Sequence, residues 1–129
     1  MLKHIKVLLE DNAIYIAVFF TILITIGSLV KSETIALEIV LISDKTYHFI
    51  AYFLLMLSWL YVFFKKKSFT QHVKYIIVGC IAFGIIIEIL QGITTTYRTS
   101  SFLDVVANTF GVVLASIVFH FFEKKIRLF

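Results

Sequence analysis

Tyr75-Ile-Ile-Val-Gly-Cys80-Ile-Ala-Phe-Gly84-Ile-Ile-Ile-Glu88-Ile-Leu-Gln91-Gly-Ile93 is an apolar run broken by a single carboxylate. A helix needs about 20 residues, rising 1.5 Å each, to cross a hydrocarbon core about 30 Å thick, and this run has that length. It lacks the apolar–polar alternation of a barrel strand and is too long to be one. Inside a bilayer the backbone must satisfy its own hydrogen bonds, so the run predicts a transmembrane helix. Residues 13–30, 46–64 and 102–122 read the same way. The expected fold is therefore an all-α integral membrane bundle of four transmembrane helices, forming one domain over residues 1–129.

Composition supports this. Hydrophobic residues make up 60% of the 129, charged residues only 16%, and mean hydropathy is +1.00. A water-soluble domain of this size has no interior large enough for that much apolar surface. With no proline, the helices should run without forced kinks. The one cysteine, Cys80, allows no intrachain disulfide and says nothing about compartment. The first apolar run lacks a small-residue cleavage site near Ser28 and Ser32, so it is expected to be a retained span rather than a signal peptide.

The net charge of +4 does not indicate nucleic acid, because the charges gather at the ends of apolar runs, where they meet membrane lipid. Lys3 and Lys6, then Lys65, Lys66, Lys67 and Lys74, then Lys124, Lys125 and Arg127 would share one side; Lys31, Lys45 and Arg98 would share the other. The positive-inside bias predicts both termini in the cytoplasm. Trp59, Tyr61, Phe63 and Phe64 before the lysine triplet, and Phe119, Phe121 and Phe122 before the basic tail, form the matching aromatic belt. Between the first two spans, residues 35–42 are too apolar for a free loop and too short to span. They either lie in the interface or extend the second helix outward.

Polar residues within the spans are the informative exceptions. Asp44, His48 and Tyr52 are spaced i, i+4, i+8 and share a helix face, with Lys45 beside them. Glu88 and Gln91 share a face of the third helix, which Gly84 continues; Asp104, Asn108 and Gly111 share a face of the fourth. Arg98 lies in the intervening loop. All sit toward the outer end. Glu88 is about 9 Å inside its helix end, and a carboxylate facing lipid there costs a few kcal/mol. It is expected to turn toward His48, Asn108, Arg98 or Lys45, or to be protonated. Ala107, Gly111 and Ala115 form a small-residue stripe suited to close helix packing. The first helix offers only Thr21, Thr25 and Ser28 and reads as scaffold. Each residue also has a plainer reading. Asp44, Lys45 and Arg98 read as hydrated interfacial charges, His48 and Tyr52 as interface residues, Asp104 and Asn108 as cap and interhelical glue. Glu88 is the hardest to reduce in this way.

Over residues 43–122 the chain resembles the VanZ-like family of small bacterial membrane proteins. The resemblance is carried by Asp44-Lys45-Thr-Tyr-His48 with Tyr52, by Glu88-Ile-Leu-Gln91, and by Arg98-Thr-Ser-Ser101-Phe-Leu-Asp104-Val-Val-Ala-Asn108-Thr-Phe-Gly111. It departs at Thr96-Tyr97, where members often have Pro-Gly, and at Ala115, where a second glycine is common. The resemblance implies a bacterial cell-membrane protein of the envelope, in a family whose namesake is linked to teicoplanin resistance. It implies no settled reaction, and no acyl-CoA or phosphate-cradling loop is visible.

Three functions fit the residues. An enzyme would use Asp44, His48, Glu88 and Asp104 for acid/base or divalent-metal chemistry on a lipid-linked or anionic envelope molecule, with Arg98 as anion clamp. No spacing fixes a metal or a nucleophile, so cofactors stay open. A binding module would hold the head of an amphiphile, such as a lipid-tailed antibiotic, or dock a partner. A small proton-coupled transporter would relay protons through Glu88 and His48 and would need oligomers.

Overall fold

The computed structural model describes residues 1–30, 44–96 and 100–128, with Asp44 by its backbone alone. Four helices follow one another: α1 (Leu2–Leu29), α2 (Asp44–Phe63), α3 (Phe69–Thr94) and α4 (Phe102–Leu128). No strand occurs among the described residues. The segment 31–43, with its two readings, lies outside them, as does Arg98.

All four helices are long and apolar enough to cross a membrane. At 28, 20, 26 and 27 residues they exceed or equal the length a bilayer needs. The apolar runs of the sequence coincide with these helices, the first two running one residue past them at Val30 and Phe64, and most of the excess helix falls at one end. α1 begins well before Ala13, α3 before Tyr75, and α4 continues past Phe122 to its basic last turn of Lys125 and Arg127. At that basic end Lys65 bonds Glu10 of α1. There Phe64, Phe69 and Phe119 also pack ring to ring at 5.8–6.1 Å, with the Arg127 guanidinium 4.6 Å over Phe64. The aromatic groups predicted as a belt are thus partly core: Phe64 and Phe119 are buried, while Phe121 and Phe122 face outward.

The outward surface is apolar, with Phe19, Val78, Ile93, Phe110 and Phe121 among its exposed side chains. Such a surface suits lipid. Hydroxyls on the helices turn back on their own backbone: Thr21 donates to the Ala17 carbonyl and Thr109 to that of Val105, both at 2.8 Å. The interior is built around α2, whose Tyr52, Leu55, Met56 and Leu60 are at most 1% exposed. α2 packs most extensively on α4, whereas α1 is held more loosely. Two apolar grooves of about 390 and 380 Å³ flank α1, one beside Trp59 and Cys80, the other beside Ala13 and Phe20. Their linings suit acyl chains, and neither touches the polar cluster described below.

No described residue has a positive φ, so the glycines serve approach rather than turning. They are not equivalent. Gly111 lies where α4 meets the α2 backbone, while around Gly79 on α3 nothing stands within 4 Å of an added Cβ. Gly79→Ala should leave stability unchanged or raise it by up to about 1 kcal/mol, since alanine is the better helix former. Thermal unfolding in detergent checks this; a clear loss would mean that a neighbour seals this face.

Candidate functional site

At the end of the bundle opposite the aromatic cluster, three helices each deliver a charged or ionisable side chain to one place. α2 brings His48, α3 brings Glu88 and α4 brings Asp104, at 5%, 2% and 4% exposure. His48 Nδ1 lies 3.7 Å from Glu88 Oε1, and its Nε2 lies 3.7 Å from Asp104 Oδ2. One ligand atom from each of the three falls within 4.8 Å of the others. Asn108, one turn along α4 from Asp104, holds the imidazole: His48 Nδ1 and Asn108 Oδ1 are 3.1 Å apart. Its carbonyl oxygen can only accept, so the bond puts a proton on Nδ1. Lys45 stands at the mouth, its side chain half exposed, and donates to Asp104 Oδ1 at 3.3 Å.

Helix ends contribute to the electrostatics. The Ser101 backbone N–H, immediately before α4, donates to Glu88 Oε2 at 3.2 Å. Asp104 occupies the first turn of the same helix. Both carboxylates therefore lie by the positive end of the α4 dipole. The surrounding low dielectric strengthens each of these interactions relative to water.

The expected inward turn of Glu88 is found: it meets His48 and the α4 N-terminus. Asp104, His48, Asn108 and Lys45 join it. Tyr52 lies one turn below His48, with its ring edge and the Asn108 amide over Gly84; a Cβ there would meet Tyr52 Cε1 at 3.0 Å and Asn108 Nδ2 at 3.2 Å. Gln91 goes elsewhere. Its amide donates to the Ser28 carbonyl of α1 at 3.0 Å, so it ties α3 to α1 rather than facing His48. The helix read as scaffold thus supports the site's edge. Trp59 makes a second tie, its indole N–H donating to Thr21 Oγ1 at 3.2 Å. Asp44, through its side chain, and Arg98 lie outside the described residues. On the packing stripe, Gly111 and Ala115 are buried and Ala107 is half-buried.

Sequence reasoning did not assign the Ser101 amide or the Ser28 carbonyl. Both are backbone groups, which every residue carries, so no residue type could have marked them.

A family model described as VanZ/LLP1 matches residues 7–123, taking in the first helix as well as the three that build the cluster. Comparison with curated proteins and with solved structures gives no match.

Proposed function

The chain belongs to the VanZ-like family, and from that premise we propose that it acts in the bacterial cell envelope. In this reading it is a multi-pass protein of the cell membrane with both termini cytoplasmic. Its polar cluster lies near the outer face, where it receives the head of an amphiphilic or lipid-linked envelope molecule and lowers susceptibility to glycopeptide-type antibiotics such as teicoplanin. The orientation rests on the positive-inside bias, because nine of the 12 Lys and Arg residues lie at the other end of the helices. A single observation carries the site: His48, Glu88, Asp104 and Asn108, from three helices, are all buried at one level. Ionisable side chains inside a membrane bundle are expensive to retain without a task.

A second reading is favoured by His48 standing between two carboxylates. That arrangement suits proton transfer, so the cluster would act chemically on the molecule it receives.

The test is antibiotic susceptibility in a deletion strain, complemented by wild type or by Asp104→Ala at matched abundance. Wild type should restore teicoplanin resistance and Asp104→Ala should not. Equal restoration by both would make Asp104 interhelical glue. No effect of deletion would remove the resistance role.

A further inference from the structure

His48 determines what the cluster can hold. With Nδ1–H committed to the Asn108 carbonyl, the neutral ring turns the Nε2 lone pair toward Asp104 Oδ2, 3.7 Å away. Two acceptors facing one another in a buried site repel unless a positive centre lies between them. That gap is too long for a direct hydrogen bond, yet it matches two ligands sharing one ion. With metal–ligand bonds of about 2.1 Å, a 3.7 Å separation subtends about 120° at the metal. Glu88 supplies the third ligand: one ligand atom each from His48, Glu88 and Asp104 lie within 4.8 Å of one another, and Glu88 Oε1 stands 3.7 Å from His48 Nδ1, so its carboxylate must turn toward the Nε2 side to complete the set.

An independent feature points to an oxygen ligand in the same place. The Tyr52 hydroxyl and Asn108 Nδ2 have no hydrogen-bond partner among the described residues, although both residues are only 1% exposed. They meet over Gly84, one turn from Glu88. Tyr52 also follows His48 by one turn, and helical side chains lean toward the helix N-terminus, here toward His48. Nδ2 can only donate and the hydroxyl readily does so. The partner such donors need is a bound water or an anionic oxygen.

We propose that His48, Glu88 and Asp104 bind a divalent transition-metal ion of the zinc or manganese type, its open positions taking water or an oxygen of an anionic head group. The inference rests on reading this cluster as the protein's working site. One imidazole and two carboxylates form a donor set that such ions accept. Asn108 is a positioning residue: it fixes the tautomer and ring orientation, as outer hydrogen-bond partners of metal ligands do. Lys45, bonded to Asp104 Oδ1 from the half-exposed mouth, is a rival cation that the ion displaces from that carboxylate.

The test uses the tag-free full chain in detergent, stripped by a chelator and titrated with zinc or manganese chloride. Metal content after desalting, calorimetry and thermal unfolding are the readouts. Wild type should retain about one ion per chain and unfold at a higher temperature when loaded. Glu88→Gln and Asp104→Asn should weaken binding at least ~100-fold, and Asn108→Ala about 10- to 100-fold. Lys45→Gln, which removes no ligand and lies at the exposed mouth, should tighten binding several-fold. Failure of both wild type and Lys45→Gln to retain either ion overturns the proposal. So does binding that survives Glu88→Gln and Asp104→Asn, which assigns the ion to His4, His72 or His120. A folded chain that binds no metal yet confers resistance ends the metal assignment and leaves the functional reading intact. Metal binding without any effect on resistance does the reverse.

Discussion

Gly111→Val is expected to abolish the folded bundle. A Cβ built at Gly111 stands 2.3 Å from the Phe49 carbonyl oxygen and 3.1 Å from the Phe53 nitrogen. Both are backbone atoms of α2, so no side-chain rotation relieves the overlap and the helices must separate. Among the described helices the α2–α4 contact is the most extensive, and separating it also pulls His48 from Asp104 and Asn108. Alanine at the same position would gain up to about 1 kcal/mol of helix propensity. Overpacking of a tight contact costs about 1–3 kcal/mol or more, so Gly111→Ala should still be a net loss. The measurement is the fraction of detergent-solubilised protein that elutes as a single species after heating. Gly111→Val should yield little folded protein, Gly111→Ala should lower the midpoint, and Gly79→Ala should match or exceed wild type. An unchanged midpoint for Gly111→Ala would mean that α4 crosses α2 less closely than the structure has it. In a bilayer this contact matters more than apolar burial does, because lipid tails are as apolar as leucine and helices associate through close packing instead.

Glu88→Gln should separate the carboxylate's structural task from its chemical one. The Glu88 side chain accepts the Ser101 N–H and stands 3.7 Å from His48. Glutamine keeps the volume and a carbonyl oxygen for Ser101 but removes the charge. Its abundance should equal that of wild type, while teicoplanin resistance falls to that of the deletion strain. Glu88→Leu, by contrast, leaves the Ser101 N–H without that acceptor and should cost about 1–3 kcal/mol, lowering abundance as well. Comparing the two at matched expression distinguishes a working site from a polar joint. Full resistance with Glu88→Gln would show that the charge is not used and that the cluster holds helices together.

Much of this was legible in the sequence. The four helices followed from run length and composition, because a bilayer imposes one simple requirement on every span. Glu88 stood out because a carboxylate inside an apolar run has few ways to be tolerated. The i, i+4 spacing of Asp104 and Asn108, and of His48 and Tyr52, put each pair on one face. The helix overhang at the basic end was less legible, since Leu2, Phe69 and Lys125 lie in amphipathic segments with no breaker to mark where a helix stops.

Gln91 shows the limit more sharply. Its spacing from Glu88 is as good a face relation as that of His48 to Tyr52, yet its amide reaches the Ser28 carbonyl of α1. Spacing along one helix says which side chains share a face. It cannot say which neighbouring helix that face meets, because the choice depends on how four apolar cylinders of similar composition pack.

The sequence by itself therefore determined that this chain is a membrane bundle, which residues are out of place in its spans, and at which end they lie. Those are consequences of solvation, which acts on each segment separately. Tertiary structure alone decided that His48 sits between Glu88 and Asp104, that Asn108 orients it, and that Gly111 lets α4 close on α2. Such distances of 3–4 Å arise only when backbones on different helices come into contact, and that depends on small-residue packing between segments distant in the chain.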